Sequence, residues 1–338
     1  MTKLEKHISE KKAVIVCDLF LEQKLYLLPN WLKDKISILF PNVEIQPINV
    51  PGILIEDSEA EIYWGNRVTS EVVSCLPKLK WIHFGSVGTN RLHDYSINIS
   101  DLWITSSKGT VVPSMVTSAT AFITGLARGI HRAEMLRQKG KMDREHFDQY
   151  FSEIQECSGQ NCLIVGYGDV GNKLVDVCIA LGMNVSIVQK PNKKNIHKFD
   201  AVFQLDDLSS AVSNADYIVN LLPYNVETKL VFNKSVFKSM QKHSFFINIG
   251  RGETVDELSL ITALNEGWIA GAGLDVFSNE PLTPFSPLWS MGNVMLTPHV
   301  AGLSSEYWIR QSDIFIHNLS CWLEGSKDDM KNIVSMSD

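Results

Sequence analysis

Short apolar runs rich in β-branched and aromatic residues recur along almost the whole chain, separated by amphipathic or polar stretches. Towards the N-terminus they are AVIVCDLF (13–20), VEIQPI (43–48), EIYW (61–64), KWIHF (80–84) and LWITS (102–106). A second series begins at Asn161 with LIV, VSIV, AVFQ, YIVNLL, FFINI, AGLDV and VMLT. Strands that alternate with helix-like stretches imply βα units, and hence parallel sheets. A chain of 338 residues has room for two such domains.

The stretches between the strands carry helix signals of their own. A helix is predicted over 31–40, ending before Pro41, because proline disfavours helix in the residue ahead of it. PSMVTSATAFITGLARGIHRAEMLRQ (113–138) reads as one long helix that stops at Lys139 and Gly140, with apolar surface that needs a domain or subunit partner. In SEYWIRQSDIFIHNLSCWLEG (305–325), Trp308, Ile309, Ile314, Phe315, Leu319 and Trp322 recur near helical spacing. The N-terminal unit is the expected partner for that last helix.

Composition narrows the class. A net charge of −7 argues against broad binding to nucleic acid or to an anionic membrane, which needs a basic surface. No apolar run reaches membrane-spanning length, and the opening MTKLEKHISEKK lacks the apolar core of a signal peptide. The six cysteines are scattered without paired or zinc-type spacing, so free thiols in a reducing compartment are expected. The expectation is a cytoplasmic protein without a metal, a nucleic-acid partner or a membrane partner.

Two sets of residues carry chemistry. The run ending at Val165 is followed at once by GYGDVG and then by an amphipathic stretch. Gly166 permits a tight turn, Gly168 lets backbone approach a pyrophosphate, and Gly171 allows close strand–helix packing. Asp169 and Val170 open a helix whose N-terminal N–H groups favour an anion. At the end of the next strand, where an NAD site places a carboxylate for the ribose 2′-hydroxyl, stand Gln189 and Lys190, followed by Lys193 and Lys194. With no carboxylate to repel a 2′-phosphate, NADP(H) is expected to be preferred and NAD(H) accommodated.

The other set lies in FFINIGRGETVDE (245–257), IAGAGLDVFSNEP (269–281) and NVMLTPHVAG (293–302). Each run ends by delivering one polar residue, Arg251, Glu280 or His299, and ligands of a parallel sheet sit outside such strand ends. Arg251, between two glycines, can grip a carboxylate through two parallel hydrogen bonds. His299 can give a proton to a carbonyl oxygen or take it back. Glu280 can bond the other ring nitrogen and stabilise the imidazolium, as aspartate does in a Ser-His-Asp triad.

These motifs, in this order, resemble the D-isomer-specific 2-hydroxyacid dehydrogenase family, and within it the reductases of glyoxylate and hydroxypyruvate; the likeness runs from about Trp81 onward. The resemblance implies Arg251, Glu280 and His299 as the catalytic set. It implies cofactor contacts from Gly166, Gly168, Asp169, Val170, Gly171, Gln189 and Lys190, and from Leu222, Pro223 and Thr228 in LLPYNVET. Ile249, Asp275 and Ala301 complete that set, with Asp275 matching a residue that contacts the nicotinamide amide. FGSVGTN (84–90) resembles the loop whose amides, here of Val87 and Gly88, hold the substrate carboxylate beside Arg251 and His299. Around Thr117 and Ser118 the chain has hydroxyls where many members have an acid.

The expected architecture is α/β, with two Rossmann-like or flavodoxin-like domains and the active site in the cleft between them. Residues 1–107 plus 303–338 would bind a small 2-oxo or 2-hydroxy acid, and residues 108–302 the dinucleotide. A homodimer through the cofactor domain is implied by the resemblance. Two rivals stand beside an NAD(P)H-dependent 2-oxo acid reductase. One is a 3-phosphoglycerate-type NAD dehydrogenase, which would want further basic residues. The other is a cofactor-sensing binding protein on the same scaffold, against which the intact Arg251, Glu280 and His299 set argues.

Overall fold

In a computed structural model that describes residues 12–19, 27–47, 58–66, 68–86, 101–191 and 199–334, the chain divides into two units. One comprises Met1–Val111 and Ser304–Asp338, the other Val112–Leu303.

In the first unit, β1 (Ala13–Asp18), β2 (Val43–Pro47), β3 (Ile62–Gly65), β4 (Trp81–Phe84) and β5 (Trp103–Ser106) pair in parallel in the order β2-β1-β3-β4-β5. This is the flavodoxin-like order, which reverses between β1 and β3. The strands fall on the predicted runs, and the predicted first helix is present as Asn30–Leu39. One face of the sheet is closed by the C-terminal helix, Tyr307–Glu324. Its Phe315 stacks on Trp64 with ring centroids 3.6 Å apart and lies 5.5 Å from Trp81, which in turn stacks at 6.5 Å on Trp322. The expected partner for that helix is thus the observed one. Its stripe differs from the predicted one, however: Ile309 is exposed, and Tyr307, Gln311 and Asn318 are buried.

The second unit carries β6 (Asn161–Val165), β7 (Asn184–Val188), β8 (Ala201–Phe203), β9 (Tyr217–Asn220), β10 (Phe245–Asn248), β11 (Gly271–Leu274) and β12 (Val294–Leu296). All pair in parallel, in the order β12-β11-β10-β9-β6-β7-β8. This is a doubly wound sheet whose order reverses between β6 and β9. Successive residues point to opposite faces, and both faces are apolar. Leu163, Ile218 and Phe246 join one core, while Ile164, Val219 and Ile247 join the other. That is why these strands read as unbroken apolar runs.

The long helix expected over 113–138 is two helices, Val112–Ala127 and Ile130–Gln138. Gly129 separates them with a φ of +62°, a left-handed conformation that ends a helix and suits a residue without a side chain. The apolar surface of the first helix is met within its own unit, where Ala119, Phe122, Ile123 and Leu126 pack against the sheet core. The polar stretch that follows also holds a short helix, Arg144–Asp148, capped by Asp143, whose Oδ1 accepts from the N–H of His146 at 2.8 Å. Among the described residues no helix is long and apolar enough to cross a membrane.

Candidate active site

The ends of β10, β11 and β12 lie side by side in register, Asn248 beside Leu274 and Leu274 beside Leu296. The segments that leave them therefore start from adjacent points, and these are the segments carrying Arg251, Glu280 and His299. The first two segments touch. A Cβ added at Gly252 would lie 1.8 Å from the carbonyl oxygen of Phe277, so only glycine lets the Arg251 turn settle on the segment leading to Glu280. Arg251 is exposed, and its Nη1 donates to the carbonyl of Gly250 at 2.7 Å.

Glu280 uses both carboxylate oxygens. Oε1 accepts from the N–H of Phe277 at 3.0 Å, and Oε2 lies 2.5 Å from Nδ1 of His299. A second carboxylate steadies the same loop, since Oε2 of Glu257 accepts from the N–H of Ser278 at 3.0 Å. His299 keeps 47% of its side-chain surface exposed, so the pair is tied together yet open to solvent.

The backbone at His299 is strained, with a φ of +54°. A non-glycine residue there costs on the order of 1 kcal/mol or more, and such strain persists only where surrounding bonds over-determine it. Asp275 supplies them. Its carbonyl accepts from the N–H of His299 at 2.8 Å. Its carboxylate, on a residue only 1% exposed, takes Thr297 Oγ1 at 2.6 Å and the N–H of Val300 at 2.8 Å on Oδ1, and the N–H of Ala301 at 2.9 Å on Oδ2. The Val112–Ala127 helix adds two more bonds, Ser114 Oγ to the carbonyl of Gly302 at 3.0 Å and Ser118 Oγ to that of Ala301 at 3.4 Å. The hydroxyl at Ser118 is thus a donor to a carbonyl, a bond that an ionised acid could not make. Thr117, its neighbour, bonds within its own helix to Pro113.

One part of this scaffold went unread in the sequence. Asn220 and Asn248 end adjacent strands in register, and Nδ2 of Asn220 donates to Asn248 Oδ1 at 3.0 Å and to Thr254 Oγ1 at 2.8 Å. Asn248 Oδ1 also accepts from the N–H of Gly250, and Thr254 Oγ1 donates to the carbonyl of Arg251 at 2.6 Å. This buried network shapes the Arg251 turn. The signal was an asparagine closing each of two apolar runs, in YIVN and FFIN.

The glycine loop after β6 fits a dinucleotide. Gly166 has a φ of +107°, and a Cβ at Gly171 would lie 2.5 Å from the carbonyl oxygen of Gly166, so turn and helix pack backbone to backbone. Space opens beyond Gly168, where an added Cβ meets nothing within 4 Å. Asp169 and Val170 begin the helix Asp169–Ala180, with Gly168 as its N-cap and no side chain capping it. Thr228 is buried, and its hydroxyl donates to the carbonyl of Pro223 at 2.6 Å, closing the turn after Leu222. The side chains of Ile249 and Ala301 pack in the core. Gln189 is half-buried at the end of β7, with its N–H on the carbonyl of Phe203, and Lys190 is exposed. Val87, Gly88, Lys193 and Lys194 lie outside the described residues.

Comparison with known proteins adds an independent line. The family model for the NAD binding domain of D-isomer specific 2-hydroxyacid dehydrogenases matches residues 120–301. A glyoxylate reductase from Thermofilum pendens is 28% identical over 260 residues, which cover 77% of this chain and 76% of the relative. A probable 2-ketogluconate reductase from Dictyostelium discoideum is 30% identical over 273 residues, covering 80% of each. Among solved structures, a D-isomer specific 2-hydroxyacid dehydrogenase from Xanthobacter autotrophicus, in complex with NADPH and MES, superposes with a TM-score of 0.77 at 22% identity, covering 96% of this chain and 98% of that one.

Proposed function

Because the chain belongs to the D-isomer specific 2-hydroxyacid dehydrogenase family, and is an NAD(P)-dependent oxidoreductase, we propose that it reduces a small 2-oxo acid to the D-2-hydroxy acid and catalyses the reverse reaction. The observation that carries this reading is the 2.5 Å pair of His299 and Glu280, set on a loop that four bonds to Asp275 hold in a strained conformation. A surface histidine has no need of such support.

The bound cofactor supplies the hydride. With Nδ1 engaged by Glu280, Nε2 of His299 faces the substrate, gives its proton to the C2 oxygen in reduction and accepts it in oxidation. Glu280 fixes the tautomer and stabilises the imidazolium. Arg251 turns from the Gly250 carbonyl to the substrate carboxylate, with the amides of Val87 and Gly88 as further donors. Gly166, Gly168 and Gly171 with the Asp169–Ala180 helix hold the pyrophosphate. The absence of an acid at Gln189, with Lys190 beside it, favours NADP(H) over NAD(H). The chain acts as a homodimer through the second unit, where Ile130, Met142 and Phe151 are exposed.

The test is oxidation of NADPH and NADH with glyoxylate, hydroxypyruvate, pyruvate, 2-ketogluconate and 3-phosphohydroxypyruvate. Turnover with one or more of the unphosphorylated acids is expected. Cofactor binding without turnover of any acid would make the protein a binding module instead, and turnover of the phosphorylated acid alone would favour the phosphoglycerate-type rival.

A further inference from the structure

Arg251 is exposed, yet the backbone that carries it is held by buried groups. Its carbonyl accepts three bonds: from Thr254 Oγ1 at 2.6 Å, from the N–H of Thr254 at 3.3 Å and from Asn248 Nδ2 at 3.3 Å. Gly252–Thr254 thereby form a single 3-10 turn, and Arg251 ahead of it is extended, with a φ of −140° and a ψ of 138°. The residues on either side leave little slack. A Cβ added at Gly250 would lie 2.7 Å from the carbonyl oxygen of Leu222, and Gly252 sits against Phe277. A hydroxyl that bonds back to a carbonyl three residues earlier is common in turns. Thr254 does more. It is fully buried, and the same oxygen accepts from Nδ2 of Asn220, 34 residues away at the end of β9, at 2.8 Å. Asn220 is fully buried too, and its Oδ1 accepts from the N–H of Leu222 at 3.1 Å, which fixes the other end of the amide as the donor. With Asn220 donating to it, the Thr254 hydroxyl is left to give its own proton to the carbonyl of Arg251.

We propose that Thr254 is a positioning residue for carboxylate binding, acting through Arg251. This inference rests on the reading of Arg251 as the group that grips the substrate carboxylate. A guanidinium on a long exposed side chain is aimed by the backbone it leaves, and a bidentate grip tolerates little error in that direction. Without the hydroxyl, the carbonyl of Arg251 loses the shortest of its three bonds and Asn220 Nδ2 loses an acceptor. The turn gains freedom, and the substrate then bears the cost of ordering Arg251 when it binds. The bond from Leu222 to Asn220 does not involve the hydroxyl, and His299 and Glu280 lie on other segments. Cofactor binding and proton transfer therefore stay as they are.

Thr254→Val removes the hydroxyl at nearly constant shape, and Thr254→Ser keeps it. With valine, kcat/KM for the preferred 2-oxo acid should fall roughly three- to ten-fold, mainly through KM, in keeping with the loss of one buried hydrogen bond. Oxamate, a non-reacting 2-oxo carboxylate, titrated into the NADPH-loaded protein should bind more weakly by the same factor, which measures carboxylate binding without turnover. Affinity for NADPH should stay within about two-fold of the parent. Thr254→Ser should match the parent in both oxamate affinity and kcat/KM. Thr254→Ala should repeat the valine result, and it supplies the measurement should the valine protein fail to fold. Unchanged oxamate affinity in the variants without the hydroxyl, with or without a lower melting temperature, would show Thr254 to be merely structural and overturn the inference. A serine variant as weak as valine, or an equal loss of NADPH affinity, would overturn it too. Oxamate binding without turnover in the parent would sink the catalytic reading alone, since the ratio of affinities still reads Thr254. A parent that neither binds oxamate nor reduces any 2-oxo acid would remove both.

Discussion

The two units are built on parallel sheets but are finished in opposite ways. In the second unit β10, β11 and β12 each lead into a segment that carries one polar residue, and the contacts that shape the candidate site join consecutive motifs: Gly252 against Phe277, Glu280 with His299, Asp275 with residues 297–301. In the first unit the sheet is completed by a helix from the other end of the chain, through Trp64, Trp81, Phe315 and Trp322. One unit holds its candidate site in local turns and the other holds its core by distant aromatic packing. Substitutions should therefore separate function from stability along the same line.

The largest effect is expected in the second unit. His299→Gln should lower kcat by about 10²–10⁴-fold, the usual contribution of a general acid–base group, and leave cofactor affinity and melting temperature near those of the parent. Steady-state kinetics with fluorescence titration of NADPH checks this, and full activity in the variant would remove His299 from the mechanism. The counterpart in the first unit is Phe315→Ala, which takes a fully buried ring out of the Trp64 stack. It should cost about 3 kcal/mol of stability, seen as an earlier thermal transition, with NADPH binding at low temperature retained. Loss of both together would mean that the two units do not divide stability and cofactor binding as the contrast requires.

The same contrast explains what the sequence made legible. The strands and the parallel sheets followed from apolar runs whose pattern is local, and so did the glycine loop and the placing of Glu280 against His299. What stayed hidden depends on partners far away in sequence or on a single conformation. The break at Gly129 turns on one φ value inside an otherwise helix-like run. The exposure of Ile309 and burial of Gln311 depend on which face the helix presents to Trp64. The Tyr307 bond to Gly85 joins segments with no shared motif. Asp275 was read through the resemblance as a cofactor contact, and no local pattern showed that its carboxylate also makes three bonds to residues 297–301.

A smaller effect should appear with pH, carried by the buried core of the first unit. His83 is fully buried, and burial pushes its pKa down from 6.5 to about 3. As a neutral ring it can accept from Thr105 Oγ1, 2.7 Å from Nδ1, while that oxygen accepts from Trp81 Nε1 at 2.9 Å. The unfolded chain binds the proton below about pH 6.5 and the folded one does not until about pH 3, so stability falls as pH drops through that window. At pH 5 the loss from this one group is ~2 kcal/mol. His131 in the second unit, lowered to about 4 by burial and by Arg132, contributes in the same direction down to about pH 4. His83→Gln should flatten the stability–pH curve below pH 6 by about one proton. Denaturant melts of parent and variant from pH 7 to 5 measure this, and parallel curves would mean that His83 takes up its proton in the folded state.

The smallest effect returns to the second unit, at the edge of its cofactor cradle. Gln189 follows β7 directly, with its backbone bonded to Phe203, so a change of side chain there need not disturb the strand. Its amide has no charge to repel a 2′-phosphate, and exposed Lys190 offers a weak attraction. A solvent-exposed ion pair contributes only ~0–1 kcal/mol, so the parent should favour NADPH over NADH in kcat/KM by no more than a few-fold unless other lysines close over the phosphate. Gln189→Asp should reverse the order, because a carboxylate repels the phosphate and accepts from the ribose hydroxyls of NADH. Raising the salt concentration should shrink the parent's preference, since exposed charges are screened, while the NADH preference of the variant should persist in part because a hydrogen bond contributes to it. Measuring both cofactors at one saturating 2-oxo acid, in low and high salt, decides the matter. A parent that prefers NADH would show that the charge at this strand end does not select the cofactor.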